Sequence, residues 1–422
     1  MNLPRRSFLR TTAFAALGAS ARGQSASAFP PVRAITRGPK FHWFAYYDKF
    51  QFDPTGRYVL SNEVDFEHRS PTASDIIKVG MVDLQDGDKW IELGETRAWN
   101  WQQGCMLQWL PGSESEVLWN DREGDRFVCH ILDVKTRQKR TLPHPVYTVS
   151  PDGRWGLAPD FRRLNDTRPG YGYAGVPDPG KEVLAPKDAG IWKIDMRTGE
   201  AQLLINFAEI AAIPFDADPA EFDGAKHWFN HLLFNTDGTR FLWLHRWRGP
   251  DVSKKYGKVG GFGTRMFTAN ADGSDRFILD PLGQTSHFVW RDPRHVFAWA
   301  YHPSQKNRFY LFEDKTRNVT PVGPDVMTVN GHNTYVPGTN NEWVLNDTYP
   351  EKGSNLQRVY LYHVPTNRRV PLGDFESQPP YRGEWRCDTH PRASRDGKWV
   401  CIDSPHAGGR QLYLIDIRGI VG

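Results

Sequence analysis

Seven times along the chain a short alternating run of apolar and polar residues breaks at a tight turn and resumes as a second run. The seven copies are FDPTGRYVLSNEV, WLPGSESEVLWND, VSPDGRWGLAPD, FNTDGTRFLWLH, VWRDPRHVFAWAY, YVPGTNNEWVLND and ASRDGKWVCID. Alternation across an Asp-Gly-type turn is the pattern of two antiparallel strands. Each copy is followed by an outer pair, such as MVDLQDGDKWIEL, GIWKIDMRTGEAQLL or VYLYHVPTNRRVPL. Seven four-stranded units in 422 residues predict an all-β, seven-bladed β-propeller, since radially packed sheets bury both faces and leave only short edges. The last copy stops before a full fourth strand, so a segment within Val32 to Trp43 is expected to supply it and close the ring. A row of separate sandwiches is the competing architecture, but the linkers it needs are not evident.

The first 28 residues stand apart. Arg5-Arg6 precedes a short apolar stretch, Ala13 to Leu17, and small-residue cleavage candidates follow at Ala19-Ser20-Ala21 and Ala26-Ser27-Ala28. This resembles a twin-arginine export signal, implying a periplasmic or secreted protein with the propeller over residues 29–422. The apolar stretch is too short to span a bilayer, so no membrane insertion is expected. The net charge of +4 comes from 53 Lys+Arg interspersed with 49 Asp+Glu and no polybasic block, which argues against a nucleic-acid partner. A monomer is expected. The 16 Trp suit sheet cores first and sugar-stacking surfaces second. Cys105, Cys129, Cys387 and Cys401 include no C-x-x-C pair; one or two disulfides are open to them, with buried thiols the default.

Aligning the seven turns places Lys49, Met106, Val146, His231, His287, His332 and His390 in one slot at the start of each innermost strand. Four consecutive blades therefore present histidine to a common point near the axis, in a chain with 14 His. These rings either cap strand ends or form a site. Three neutral imidazoles, His287, His332 and His390, suit a divalent metal ion (Mn, Ca or Zn), leaving His231 as a base. Asp388 and Gln284 are candidates to complete the shell. Long insertions fall on the same rim, and they carry Arg162, Arg163, Arg168, Lys187, Arg246, Arg248, Lys254 and Lys255 with Tyr171 and Tyr173. Guanidinium and aromatic groups around a histidine cluster suit an acidic oligo- or polysaccharide.

The repeats GCMLQWLPGS with VLWNDREGD, HLLFNTDGTRFLWLHRW, GHNTYVP with WVLNDTYP, and HPRASRDGKWVCIDSPHAGGRQLYLIDI resemble the seven-bladed-propeller polysaccharide lyases, chiefly the oligogalacturonate lyases and more distantly the ulvan and rhamnose-glucuronate lyases. The resemblance implies β-elimination at a uronic acid. In its metal-assisted form His287, His332 and His390 hold the metal, His231 is the base and Arg246 clamps the carboxylate. In the metal-free form Tyr171 acts with Lys187 or Arg246, with Arg162, Arg163, Arg168, Tyr173 and Arg248 as further substrate contacts. Three departures stand out: Met106 occupies the blade-2 slot where the metal-free form needs His, Lys187 stands where that form has Arg, and no closely spaced Gln and two His stand on one blade. Two other classes stay open, a non-catalytic anionic-glycan-binding propeller and a glycoside hydrolase using Asp121, Asp347 or Asp403. No G-x-S-x-G occurs, which disfavours a serine hydrolase.

Overall fold

The computed structural model describes residues 29–44, 46–250 and 261–422. The export-signal reading, and with it residues 1–28, lies outside the described residues, as do Lys254 and Lys255. Seven four-stranded antiparallel sheets form the seven blades of a propeller, as the repeats predict. Blade 4 is the longest-stranded: Lys226–Phe234 lies innermost, followed outward by Arg240–Arg248, Gly263–Asn270 and Phe277–Asp280. In six of the seven blades the turn between first and second strand is tightened by an Asp, Asn or Ser side chain that accepts backbone N–H groups, and in blade 6 the Thr339 hydroxyl donates to the Val336 carbonyl instead. In blade 7, for example, the Ser394 hydroxyl accepts from the Trp399 amide at 3.0 Å, and Gly397 takes the left-handed conformation at φ 69°.

The ring closes through the N-terminus. Blade 7 contains Arg392–Ala393, Trp399–Ser404 and Gln411–Asp416, and its outermost strand is Val32–Ala34, paired Val32 to Ile415, Arg33 to Leu414 and Ala34 to Tyr413. The expected closing segment therefore divides: Phe41–Trp43, the other end of Val32 to Trp43, is the innermost strand of blade 1. Between that strand and the isolated bridge Phe52 to Val59, the chain leaves the sheet and enters the axis. Tyr46, Tyr47 and Lys49 are buried there, and the Tyr47 hydroxyl crosses to blade 5, donating to the Phe288 carbonyl and accepting from the Phe288 N–H, both at 2.9 Å. Below this plug an axial channel of about 390 Å³ opens on the turn face, its upper end formed by Tyr47, Asp48 and Lys49.

The core consists of the sheet-to-sheet layers. Eight of the 16 tryptophans (Trp43, Trp99, Trp101, Trp109, Trp119, Trp228, Trp243 and Trp247) are among the most fully buried side chains, so the aromatic excess serves packing first. Trp43, Trp99 and Trp101 meet with ring centroids 5.1–5.6 Å apart between blades 1 and 2. All four cysteines are free and buried, as the default expectation had it. Burial pushes the Cys401 thiol up to about 12, which keeps it protonated and inert. No helix among the described residues is long and apolar enough to cross a membrane.

Ile35, directly after the closing strand and 1% exposed, locks the seam through its side chain and through an amide donated to the Leu412 carbonyl at 2.9 Å. Ile35→Ala is expected to cost about 2–4 kcal/mol by leaving a cavity in the seam. Denaturant unfolding of the variant against the parent checks this.

Candidate functional site

The slot histidines converge. Ring centroids of His287 and His332 are 4.1 Å apart and those of His332 and His390 are 4.2 Å apart. Tyr46 lies 4.9 Å from His231, 5.4 Å from His390 and 6.2 Å from His332, and Tyr47 lies 5.8 Å from His287, so the axial plug reaches all four rings. The reason for the convergence is local. His231 is not ahead of its strand as the alignment predicts but inside it, at the register shift between Asn230 and Leu233, with φ 52°. Met106 and His390 are likewise left-handed, at φ 58° and 39°. A bulge re-aims one side chain out of the pleat, and a left-handed residue without the asparagine, aspartate or glycine chemistry of a turn is costly enough to need support from its surroundings.

Each histidine has a distinct electrostatic setting. The His332 Nδ1 donates to Asp347 at 3.0 Å and its amide to the same carboxylate at 2.7 Å, while the Thr389 hydroxyl donates to the other oxygen at 2.6 Å. Gly331 permits this approach, because a Cβ there would sit 1.8 Å from the Asp347 carbonyl oxygen. Burial alone lowers the proton affinity of His332, but Asp347 outweighs it and the net direction is upward. With Nδ1 committed, Nε2 is the atom free to bind a ligand, the arrangement in which a carboxylate orients a metal-binding imidazole. His287 differs: Nδ1 meets Asn330 Oδ1 at 3.2 Å and Nε2 meets the Tyr349 hydroxyl at 3.2 Å, so both nitrogens are occupied.

His332, Asp388 and His390, all buried, each present one ligand atom within 4.8 Å of the others. Asp388 Oδ1 and His390 Nε2 are buried with no hydrogen-bond partner among the described residues, and a cation between them would satisfy both. The residues therefore fit a metal, with one difference from the expected ligands: the group that comes together is His332, Asp388 and His390, with Asp388 in the place given to His287. Two imidazoles and a carboxylate suit Mn²⁺ or Zn²⁺ better than Ca²⁺, which takes oxygen ligands. Gln284 instead pairs through its backbone with Thr264 of blade 4.

Beside this group lies a cationic wall. Arg246 donates from Nε to Asn230 Oδ1 at 2.6 Å and from Nη1 to Thr264 Oγ1 at 3.1 Å. Arg246 and Arg168 both face the Phe262 ring, at 4.6 and 4.5 Å from its centroid, and Arg168 Nη1 is buried without a partner among the described residues. Burial and then the charge of Arg168 bring Arg246 down to about 9. Arg386 donates to Asp388 at 2.7 Å and to the Tyr171 hydroxyl at 2.9 Å. Burial pushes the Tyr171 phenol up, but Arg386 and Arg168 together pull it down to about 7.

Not every expected contact reaches this wall. Arg163 is fully buried, its three nitrogens donating to Asp178 and to the carbonyls of His227, Gly180 and Leu184; it pins the blade-3 insertion and has no role left for substrate. Tyr173 is also core, stacked 4.3 Å from Phe161 and bonded to Asn120 at 3.0 Å. Arg162 is paired with Asp160 and lines a separate pocket of about 330 Å³ with His144 and Trp192. Lys187 is exposed, and Arg248 is half-buried, donating to the Gly261 carbonyl at 3.2 Å. Asp121, Asp347 and Asp403 are held by His130, His332 and Arg392 respectively, so none is left as a free member of a hydrolytic pair. Sequence reasoning did not find Tyr46, Asp48, Tyr349 or Arg386; for blade 7 the turn alignment found His390, and Asp388 stood only as a candidate to complete the shell.

No protein-family model and no curated protein matches the sequence. Among solved structures the chain is similar to an oligogalacturonate lyase in complex with manganese, with a TM-score of 0.65, 15% identity and coverage of 94% of this chain and 95% of that one. It is also similar to the oligogalacturonate lyase of Vibrio parahaemolyticus, with a TM-score of 0.63, 14% identity and coverage of 93% and 94%. At this identity the likeness establishes the fold, a seven-bladed propeller shared along nearly the whole of each chain.

Titration with Mn²⁺ followed by calorimetry is expected to show one site. Asp388→Asn and His390→Gln should each weaken it at least 100-fold, Asp347→Asn about 10-fold through His332, and His287→Gln less than about 3-fold, since both ring nitrogens of His287 are already engaged by Asn330 and Tyr349.

Proposed function

We propose that the protein is a polysaccharide lyase that cleaves uronic-acid-containing oligo- or polysaccharides by β-elimination, assisted by a divalent metal ion. The observation that carries this reading is the juxtaposition, on one face, of a buried neutral imidazole, two guanidiniums without a carboxylate partner among the described residues, a His-Asp-His group with unpartnered ligand atoms, and the Tyr171 phenol. Elimination next to a carboxylate needs a base for the weakly acidic C5 proton, positive charge to stabilise the enolate-like intermediate, and a donor for the departing oxygen. A metal held by His332, Asp388 and His390 supplies Lewis-acid neutralisation of the substrate carboxylate.

The chain's own groups account for the remaining work. Arg246 and Arg168, side by side over Phe262, bind the acidic group and offset their mutual repulsion when an anion arrives. His231 is the base; burial, against the opposing pull of Asp48, brings it down to about 4, so it is unprotonated at neutral pH. Tyr171, near 7 and fixed by Arg386, is placed to hand a proton to the leaving oxygen. The similarity to oligogalacturonate lyases supports this class, and the export and monomeric state expected from the sequence belong to the same proposal.

A screen of acidic glycans, with and without chelator, for the ultraviolet absorbance of the new conjugated double bond tests it. The expected result is absorbance that chelation removes; new reducing ends without absorbance indicate hydrolysis, and binding without any product indicates a recognition module. His231→Gln is expected to lower turnover by about 10²–10⁴-fold. In the parent, turnover should fall as pH drops through about 4, where His231 takes up a proton, and as pH rises through about 7, where Tyr171 loses the proton it donates.

A further inference from the structure

Asp48 approaches His231 from a different part of the fold. It belongs to the axial segment that leaves blade 1, 183 residues away in sequence, and its Oδ2 lies 3.2 Å from His231 Nε2, with both side chains 1% exposed. Lys49 Nζ meets the same oxygen at 3.1 Å, and Oδ1 is buried with no hydrogen-bond partner among the described residues. Around the imidazole stand the phenols of Tyr46, Tyr47 and Tyr147, with centroids 4.9, 5.6 and 6.4 Å away, and the ring of Phe288 stacked at 3.9 Å. Arg246 acts on it electrostatically. Among the described residues Asp48 is thus the one carboxylate in this shell, and Lys49 and the imidazole hold it ionised, at about 2, despite its burial.

We propose that Asp48 is the positioning residue for the base: it holds His231 in the Nε2–H tautomer, leaving Nδ1 as the proton acceptor, and stabilises the imidazolium that forms. Nδ1 has no hydrogen-bond partner among the described residues, whereas an ionised Asp48 can only accept, which fixes the proton on Nε2. This rests on the elimination reading for its chemistry. In that step the C5–H bond breaks and the proton passes to Nδ1. The C–H electron pair becomes the C4–C5 double bond, and the C4–O bond breaks with its pair on the leaving oxygen, which takes up a proton. The Nε2 proton stays with the imidazole, donated to Asp48. Lys49 tempers the carboxylate, so that it orients the imidazole without charging it in the resting protein.

The pairing is tested on the full chain by NMR of ¹⁵N- and ¹³C-labelled histidine, the His231 signal being identified by its loss in His231→Gln. The parent is expected to show the Nε2–H tautomer; an Nδ1–H tautomer overturns the proposal without need of a further variant. In Asp48→Asn, where the stabilising charge is lost, the His231 titration midpoint should move to lower pH, and an unchanged midpoint in the folded variant overturns it too. Neither measurement depends on a substrate, so failure of the elimination reading leaves them interpretable. On whichever acidic glycan the parent cleaves, kcat of Asp48→Asn should fall about 10–100-fold with KM nearly unchanged and the acid limb of the pH profile displaced downward, and Asp48→Glu should recover part of kcat. An equal loss in all variants with no displacement of that limb indicates packing damage and overturns the assignment.

Discussion

Four imidazoles from separate blades can share one point only if something fills the axis and keeps them uncharged, and that is the role of the segment from Tyr46 to Lys49. Its aromatic rings separate the histidines, its tyrosine hydroxyl satisfies the backbone of blade 5 across the axis, and its aspartate supplies the negative charge nearest His231. Protonating several of these rings together would place like charges about 4 Å apart in a poorly screened interior. Burial therefore lowers His231, His287 and His390, and only His332, backed by Asp347, moves the other way.

The same logic extends to the cationic wall. Arg386 is paired with Asp388 and Tyr171 and stays firmly charged, whereas Arg168 and Arg246 share an aromatic face with no carboxylate partner among the described residues. Buried positive charge with incomplete pairing is costly for stability and is found where an anion is to be received. The site thus combines strained backbone at three slot positions, unpartnered ligand atoms and unpaired guanidinium groups, all within a ring of otherwise well-satisfied sheets.

The blades were legible because tight turns have few chemical solutions and strand alternation has a fixed period, so seven Asp-Gly-like signals located seven hairpins. The histidines were legible for the same reason, since the distance from turn to slot is set by strand length. His231 shows the limit of that argument: a bulge added a residue and moved it into the strand while leaving it on the axis. The plug was illegible because an irregular segment carries no period, and Asp48 meets its partner only through closure of the ring. Arg163 and Tyr173 misled because charged and aromatic residues in a long insertion look like a binding rim, when here they are the groups that hold the insertion together. Asp160 followed by FRRLNDT held a capping signal for the helix Phe161–Thr167, whose first turn the Asp160 carboxylate accepts from.

Strand Val32–Ala34 completes the sheet whose other three strands come from the seventh repeat, after all six of the other blades in chain order. During synthesis that early segment must wait, without its partner, until Gln411–Asp416 has emerged. Ring formation is therefore a late event that joins strands far apart in the sequence, and a product truncated before the seventh blade keeps an open edge exposed to other unpaired strands.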